Sequence, residues 1–253
     1  MNATLIYLIA LGQPYWKLAK LCIQSLRNAG KYTGDILLIT DDTFFDPILN
    51  VTLYQANYKD SQCSKYWKVD CLSLIELSRY QKIMYLDVDT ICLKPIQIIF
   101  DYCQDNLIYS ELPTIPGKFH SISGRWMGEC LTEDEKIIAN ARNVRGSNSG
   151  FFCCPSELIK SFLDAWKYEI DRYKWDYAFD QPPFNAIIYR QTVKCKPIPE
   201  YWIVYPMLYE RFKCRHLLTS ILPQSILLHF CARNCDTTTL SEIMAKATDF
   251  DIY

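Results

Sequence analysis

Residues 82–95 read KIMYLDVDTICLKP, and the fold turns on this stretch. Ile83 to Leu86 is a short apolar run with aromatic content, the pattern of a buried strand. It leads straight into Asp87-Val88-Asp89. Two carboxylates at the end of a buried strand repel each other and resist desolvation unless a cation or water compensates them. In extended backbone, residues i and i+2 point to the same side. Asp87 and Asp89 can therefore converge on one hard, oxygen-seeking cation, Mg²⁺ or Mn²⁺. Taken alone, the same residues also describe a strand followed by a solvated acidic turn. The neighbours decide between the two.

Upstream, Thr4 to Ala10 and Asp35 to Thr40 (DILLIT) are further apolar strands. Between them Leu18, Leu21, Cys22, Leu26 and Ala29 recur at helical spacing, and Gly30 marks the stop. Val51 to Tyr54 reads as a shorter third strand. Trp67, Cys71, Leu74, Ile75 and Ser78 predict a helix leading into the central strand. This rhythm predicts an α/β fold, a mixed, mostly parallel sheet flanked by helices. Ligands of such sheets sit beyond the carboxyl ends of the strands, where Thr40-Asp41-Asp42 and Asp87-Val88-Asp89 both fall.

Downstream, residues 111–147 carry Pro113, Pro116, Gly117, Gly124, Gly128 and Gly146, together with Arg125, Trp126, Arg142 and Arg145. This is the most loop-like part of the chain, with a short helix expected from Glu133 to Ala141, and loops of this length are often binding segments or lids. Asn148 to Cys154 is a strand, and Pro155 suits the first position of the helix after it. Leu158, Phe162, Ala165, Trp166, Ile170 and Tyr173 form that helix's apolar face. Asp180-Gln181 precedes the apolar segment Phe184 to Tyr189, and Asp favours a helix N-cap. A late strand at Lys194 to Ile198 and a final strand at Ser225 to Phe230, carrying His229, complete the series. No internal repeat interrupts it, so the expectation is a single domain over residues 1–253. Within it lie a first half (1–110), a loop-rich insertion (111–147) and a second half (148–235).

Composition excludes several classes. With 253 residues, half of them hydrophobic, the chain can bury one sizeable core. A net charge of -1 and no basic stripe argue against nucleic acid as partner. No apolar run approaches the length of a membrane span. The first residues lack a positive n-region and a small-residue cleavage site, which makes them a poor signal peptide and a good first strand. Most of the 12 cysteines sit in apolar segments at irregular spacing, as reduced core residues of a cytoplasmic protein would. His229, Cys231 and Cys235, with Cys214 upstream, form a weak zinc pattern without a C-x-x-C pair. GQPYWK follows the first strand where a dinucleotide-binding enzyme needs G-x-G-x-x-G, which disfavours an oxidoreductase.

Four polar marks stand in order at the edges of apolar segments: Asp87-Val88-Asp89, Asn148-Ser149-Gly150, Asp180-Gln181 and His229. With TLIYLIALGQPYWKLAKLCIQSL, YLDVDTICLKPI, GSNSGFFCCPSE, DQPPFNAII and ILLHF, this ordered set resembles the GT-A glycosyltransferases, most closely the glycogenin-like family 8. The resemblance covers about residues 4 to 230. It implies a metal-dependent glycosyltransferase that moves a sugar from a nucleotide diphosphate, most plausibly a UDP-sugar, to a glycan or other hydroxyl acceptor with retention of configuration.

Carried over residue by residue, it implies metal ligands at Asp87, Asp89 and His229. An imidazole in the set favours Mn²⁺ over Mg²⁺. Asp89 is the more direct ligand, and Asp87 shares its contacts with the donor ribose. The implied donor-binding set is Thr4, Ala10, Tyr15, Asp41, Lys68, Asp87, Val88, Asp89, Asn148, Ser149 and Arg233. Asp180 orients the transferred sugar and Gln181 faces the anomeric carbon, the two catalytic positions.

One departure concerns the diphosphate. The family follows its histidine with H-x-x-G-x-x-K, whereas this chain has HFCARNC, with Ala232 for the glycine and Cys235 for the lysine. Arg233 is then the expected source of positive charge; failing it, the metal alone or Arg142 or Arg145 of the long loop would stabilise the leaving group. The altered tail keeps a second class in view, a GT-A protein that binds a nucleotide sugar with little or no chemistry.

Overall fold

The computed structural model describes residues 3–42, 50–56, 64–116, 118–124, 126–173, 180–231 and 237–248. The chain opens with β1 (Thr4–Ala10), α1 (Gln13–Asn28), β2 (Asp35–Thr40), β3 (Thr52–Gln55) and α2 (Ser64–Asp70). The central stretch follows as β4 (Lys82–Leu86) and β5 (Thr90–Cys92), then α3 (Gln97–Cys103), β6 (Leu107–Glu111) and α4 (Glu133–Ala141). The second half holds β7 (Ser147–Pro155), α5 (Ser156–Tyr173), α6 (Gln181–Tyr189), β8 (Cys195–Pro197) and β9 (Ile203–Val204). It ends with α7 (Pro206–Arg211), α8 (Leu218–Ile221), β10 (Leu227–His229) and α9 (Thr237–Thr248).

Seven strands form the main sheet in the order β3-β2-β1-β4-β7-β6-β8. The β3-β2-β1-β4 side is parallel, while β7 runs antiparallel to both β4 and β6. Both faces are covered, so the strands are apolar throughout rather than alternating. Leu5, Tyr7 and Ile9 of β1 face one core with Trp166 of α5 and Phe184 of α6. Ile6, Leu8 and Ala10 face the other, with Leu18 of α1 and Phe100 of α3. A second, three-stranded sheet, β5-β10-β9, covers part of that second core. In it His229 stands opposite Thr90.

The long insertion is anchored to the body. The predicted short helix is α4, opened by a capping box in which Thr132 and Glu135 satisfy each other's backbone amides. Arg190, just after α6, grips Glu135 with two nitrogens at 2.7 and 2.9 Å and Glu169 of α5 with a third at 2.8 Å.

Three local expectations differ from the structure. The helix expected through Ser78 stops at Asp70 and continues as two 3₁₀ turns, Cys71–Leu74 and Leu77–Arg79. The Ser73 hydroxyl takes the Asp70 carbonyl, a local bond that competes with the helical ladder. Pro155 closes β7 opposite Lys82 instead of opening α5, because the ladder with β4 runs to that residue. The strand expected at 194–198 shortens to three residues at the sheet edge. No helix among the described residues is long and apolar enough to cross a membrane.

Candidate active site

The site forms where β4 and β7, running in opposite directions, bring their polar ends together. Leu86 pairs with Phe151, and the next amide, Asp87 N, donates to Gly150 O at 2.8 Å. The Asp87 side chain therefore lies against the Asn148-Ser149-Gly150 start of β7. The chain then bends through Val88 and Asp89 into β5. There β10 pairs with β5, and Phe230 N donates to Asp89 O at 3.0 Å. That register delivers His229 to the carboxylates from 140 residues further along the chain. His229 Nε2 lies 3.1 Å from Asp89 Oδ1 and 3.6 Å from Asp87 Oδ2.

Gly150 makes this approach possible. A Cβ there would stand 2.3 Å from His229 Cε1 and 2.4 Å from Asp87 Oδ2, closer than any side-chain carbon can come. Its amide accepts no substitute role: it donates to Asn148 Oδ1 at 2.7 Å and fixes that side chain.

Lys68, on α2, connects the Asp87 carboxylate to the rest of the site. Its ammonium is 2.7 Å from Asp180 Oδ2, 3.1 Å from Asp87 Oδ1 and 3.3 Å from Ser149 O. Burial opposes its charge, but the two carboxylates outweigh burial and hold it firmly protonated. Ser149 Oγ donates to the same Asp180 oxygen at 2.8 Å. Asp180 occupies the N-cap position of α6 but makes no capping bond, because its carboxylate is committed to Lys68 and Ser149. Asn185 latches α6 to β7, exchanging bonds with Ser147 N at 2.7 Å and Ser147 O at 2.9 Å.

The charges do not cancel. Asp87, Asp89 and Asp180 face Lys68 and a histidine that is neutral unless protonated. At His229 burial disfavours the charged ring, yet the charge and hydrogen bond of Asp89, aided by Asp87, raise its pKa above the usual value. Such a ring draws a proton because the site lacks positive charge. A divalent cation would answer the same need. Two carboxylates and an imidazole offer one ligand atom each, all within 4.8 Å of one another, and no thiol belongs to the group among the described residues. Oxygen and imidazole donors suit Mn²⁺. The donor set and the space kept by Gly150 fit a divalent ion.

The zinc pattern is not assembled. His229 turns to the carboxylates, Cys231 Sγ meets Asn148 Nδ2 at 3.9 Å, and Cys214 Sγ bonds Phe212 O at 3.3 Å. Cys235 lies outside the described residues.

A cavity of about 430 Å³ opens on this cluster. Lys68, Asp87, Asn148, Ser149, Asp180 and Gln181 line it, together with His120, Trp126, Met127, Leu208 and Arg211 from the insertion and α7. The remaining sequence-predicted residues fall as follows. Asp89 and Val88 are buried beside Asp87. Tyr15 is exposed in the first turn of α1, and Ala10 ends β1 on the same side of the sheet. Asp41 accepts from Gly12 N and Trp16 Nε1, both at 2.8 Å, so one of its oxygens ties the end of β2 to the start of α1. Thr4 does not join the group. It begins β1, at the opposite end of the strand, where its hydroxyl meets Tyr32 at 3.3 Å. Arg233 lies outside the described residues. Arg145 is held by Glu111 at 2.5 Å and Glu200 at 3.2 Å, so its charge is engaged away from the cavity. Arg142 caps α4.

Sequence reasoning missed Tyr85, whose hydroxyl donates to Asp87 Oδ1. Burial first, and then Asp87, raise its pKa and keep it a donor. The signal was present: Tyr85 stands two residues before Asp87 and shares its side of the strand. His120 and Arg211 carried no such signal.

A doubly covered α/β sheet, with an Asp-x-Asp turn and a histidine from the last strand at its carboxyl edge, defines a nucleotide-sugar glycosyltransferase of the GT-A type. The family model for glycosyl transferase family 8 matches residues 43–234 of the 253, and the chain belongs to that family. Among solved structures it is similar to the galactosyltransferase LgtC in complex with donor and acceptor sugar analogues. The TM-score is 0.60 at 15% identity, over 96% of this chain and 95% of LgtC. No curated protein sequence matches it.

Proposed function

We propose that this glycosyltransferase moves a sugar from a UDP-sugar to a hydroxyl acceptor with retention of anomeric configuration, using Mn²⁺ at Asp87, Asp89 and His229. The observation that carries the reading is convergence. Two carboxylates and an imidazole from distant segments meet beside a cavity that also holds Asp180 and Gln181. When bound, the ion would neutralise the diphosphate as the C1–O bond breaks.

The chain's own residues orient the sugar. Lys68 and Ser149 fix Asp180, so one carboxylate oxygen is pinned and the group is aimed rather than free to rotate. Asn148, itself held by Gly150 N, presents its amide to sugar hydroxyls beside Gln181. One oxygen of Asp180 is already engaged by Lys68 and Ser149, which suits it to orienting the sugar rather than attacking it. A front-face route, in which the leaving phosphate oxygen takes the acceptor's proton, suits such a site and retains configuration. The ten cysteines described are all free, in keeping with a reducing, cytoplasmic setting. We read residues 1–110 as the nucleotide half, 111–147 as the insertion over the site, and 148–235 as the sugar and acceptor half.

The test is hydrolysis of UDP-glucose and UDP-galactose without acceptor, with Mn²⁺ and with EDTA. Mn²⁺-stimulated release of UDP that EDTA abolishes is expected. UDP-sugar binding without any release of UDP would favour the non-catalytic binding protein, and release indifferent to EDTA would remove the metal from the mechanism.

A further inference from the structure

We infer that the wall of the cavity facing the donor residues selects an acidic acceptor, a sugar carrying a carboxylate or a phosphate ester. The inference rests on the reading of this site as a glycosyltransferase site, and it adds the class of acceptor.

Three basic side chains gather around the ring of Phe212, immediately after α7. The His120 ring lies 5.6 Å away, Lys118 Nζ 5.8 Å and the Arg211 guanidinium 6.0 Å. His120 and Arg211 both line the cavity. None of the three has a carboxylate within ion-pair distance among the described residues; Glu210, the nearest in sequence, faces Arg215 at 4.0 Å. Among the donor residues lining the same cavity the situation is reversed. There Asp87 and Asp180 share Lys68, and Asp89 lies behind them. The cavity is acidic on its donor side and basic on this side.

Solvation accounts for the two long side chains, which are exposed. It does not account for the imidazole. His120 Nε2 is shut off from solvent and has no hydrogen-bond partner among the described residues. A buried polar nitrogen without a partner costs free energy, and the ring lines the cavity, so a turn of the ring toward the cavity would let a ligand atom supply the missing partner. Burial, and then the charge of Arg211, lower its pKa and keep the ring neutral. A neutral imidazole can donate one N–H to an anionic oxygen while the adjacent guanidinium supplies the charge.

The wall is also built to hold its position. Gly146 N donates to His120 O at 2.7 Å, and a Cβ at Gly146 would strike Met127 Sδ, so the insertion packs down on the start of β7. Trp126, Met127 and Leu208 add an apolar surface on which the face of a sugar ring can lie.

The test uses three p-nitrophenyl β-glycosides that differ only at C6: glucoside, glucuronide and glucoside 6-phosphate. Their binding to the wild-type protein with Mn²⁺ and UDP is measured by calorimetry. The acidic pair should bind about tenfold more tightly than the glucoside, the size of one charge-assisted hydrogen bond. Comparison of the two acidic arms separates carboxylate from phosphate. Arg211→Gln should remove the discrimination, Arg211→Lys should keep part of it, and Arg211→Glu should reverse it in favour of a glucosaminide. Equal binding of all three glycosides, or binding of none, would overturn the inference. So would an Arg211→Gln variant that keeps its acceptor preference and instead raises the KM for the donor, because the guanidinium would then serve the diphosphate. Mn²⁺-dependent release of UDP in the same samples reports on the underlying activity separately from this selectivity.

Discussion

On one side of the cavity, Lys68, Asp87, Ser149 and Asp180 are fixed by strand ends and by one another, and most of their polar atoms have named partners. On the other side, His120 and Trp126 hang from a long insertion, and Arg211 ends a helix of six residues. The first wall is set by sheet register. A one-residue slip of β7 against β4 would turn Gly150 away from His229 and Asp87 and place a side chain there. The second wall can change residue by residue without disturbing the sheet. The comparison teaches that one set of lining residues is fixed by the strands of the sheet, while the other is carried by a loop-rich insertion and a short helix.

The comparison breaks first at Asp89. Asp89→Ala should lower Mn²⁺-dependent UDP release by about a hundredfold or more while the protein keeps its circular dichroism spectrum. Full activity in that variant would mean that the rigid wall holds no cation. Gly150→Ala is the next most damaging change. Its methyl would push His229 and Asp87 apart, and the Mn²⁺ concentration for half-maximal activity should rise about tenfold to a hundredfold, read from a metal titration.

Lys68→Met tests the same wall through stability. It leaves Asp180 and Asp87 without their buried cation, and urea unfolding should show a loss of about 3 kcal/mol. If the loss stays under about 1 kcal/mol, water or another cation replaces Lys68 and the wall is less closed than its distances imply.

The smallest effect sharpens the view of the insertion. Arg190 holds the Glu135 carboxyl down at about 2, chiefly through its hydrogen bonds. A carboxylate depressed in the folded state contributes stability that is fully present above its unfolded value of about 4.3 and is lost as pH falls from there toward 2. Glu135→Gln should therefore cost about 1 kcal/mol or less at pH 7, discounted for solvent, and should flatten the acid limb of the stability curve. Urea midpoints between pH 3 and 7 check both.

Much of the site was legible in the sequence, and for a common reason. Asp87 and His229 sit where apolar strands end, and Asn148, Ser149 and Asp180 where apolar segments begin; the antiparallel pairing of β7 with β4 brings the start of one to the end of the other. Lys68 was readable only as a basic residue ahead of the central strand, and the structure gives it two carboxylates. Thr4, in the donor-binding set that the resemblance implied, begins β1 and so lies at the far end of the strand from the cluster. The helix expected through Ser78 differs for another reason: apolar spacing reports which side is buried, and Cys71 and Ile75 are indeed buried, but it does not distinguish an α-helix from the 3₁₀ turns that follow Asp70.

The sequence by itself determined the covered α/β sheet, the acidic turn after its central strand and the order of the polar marks, because runs of apolar residues and their terminators are local properties of the chain. Only the tertiary structure decided that His229 faces Asp89, that Asp180 serves Lys68 rather than a helix cap, and that His120 and Arg211 share a wall. Each of those depends on contacts between segments far apart along the chain, and such contacts are set by strand register and packing, which no local pattern encodes.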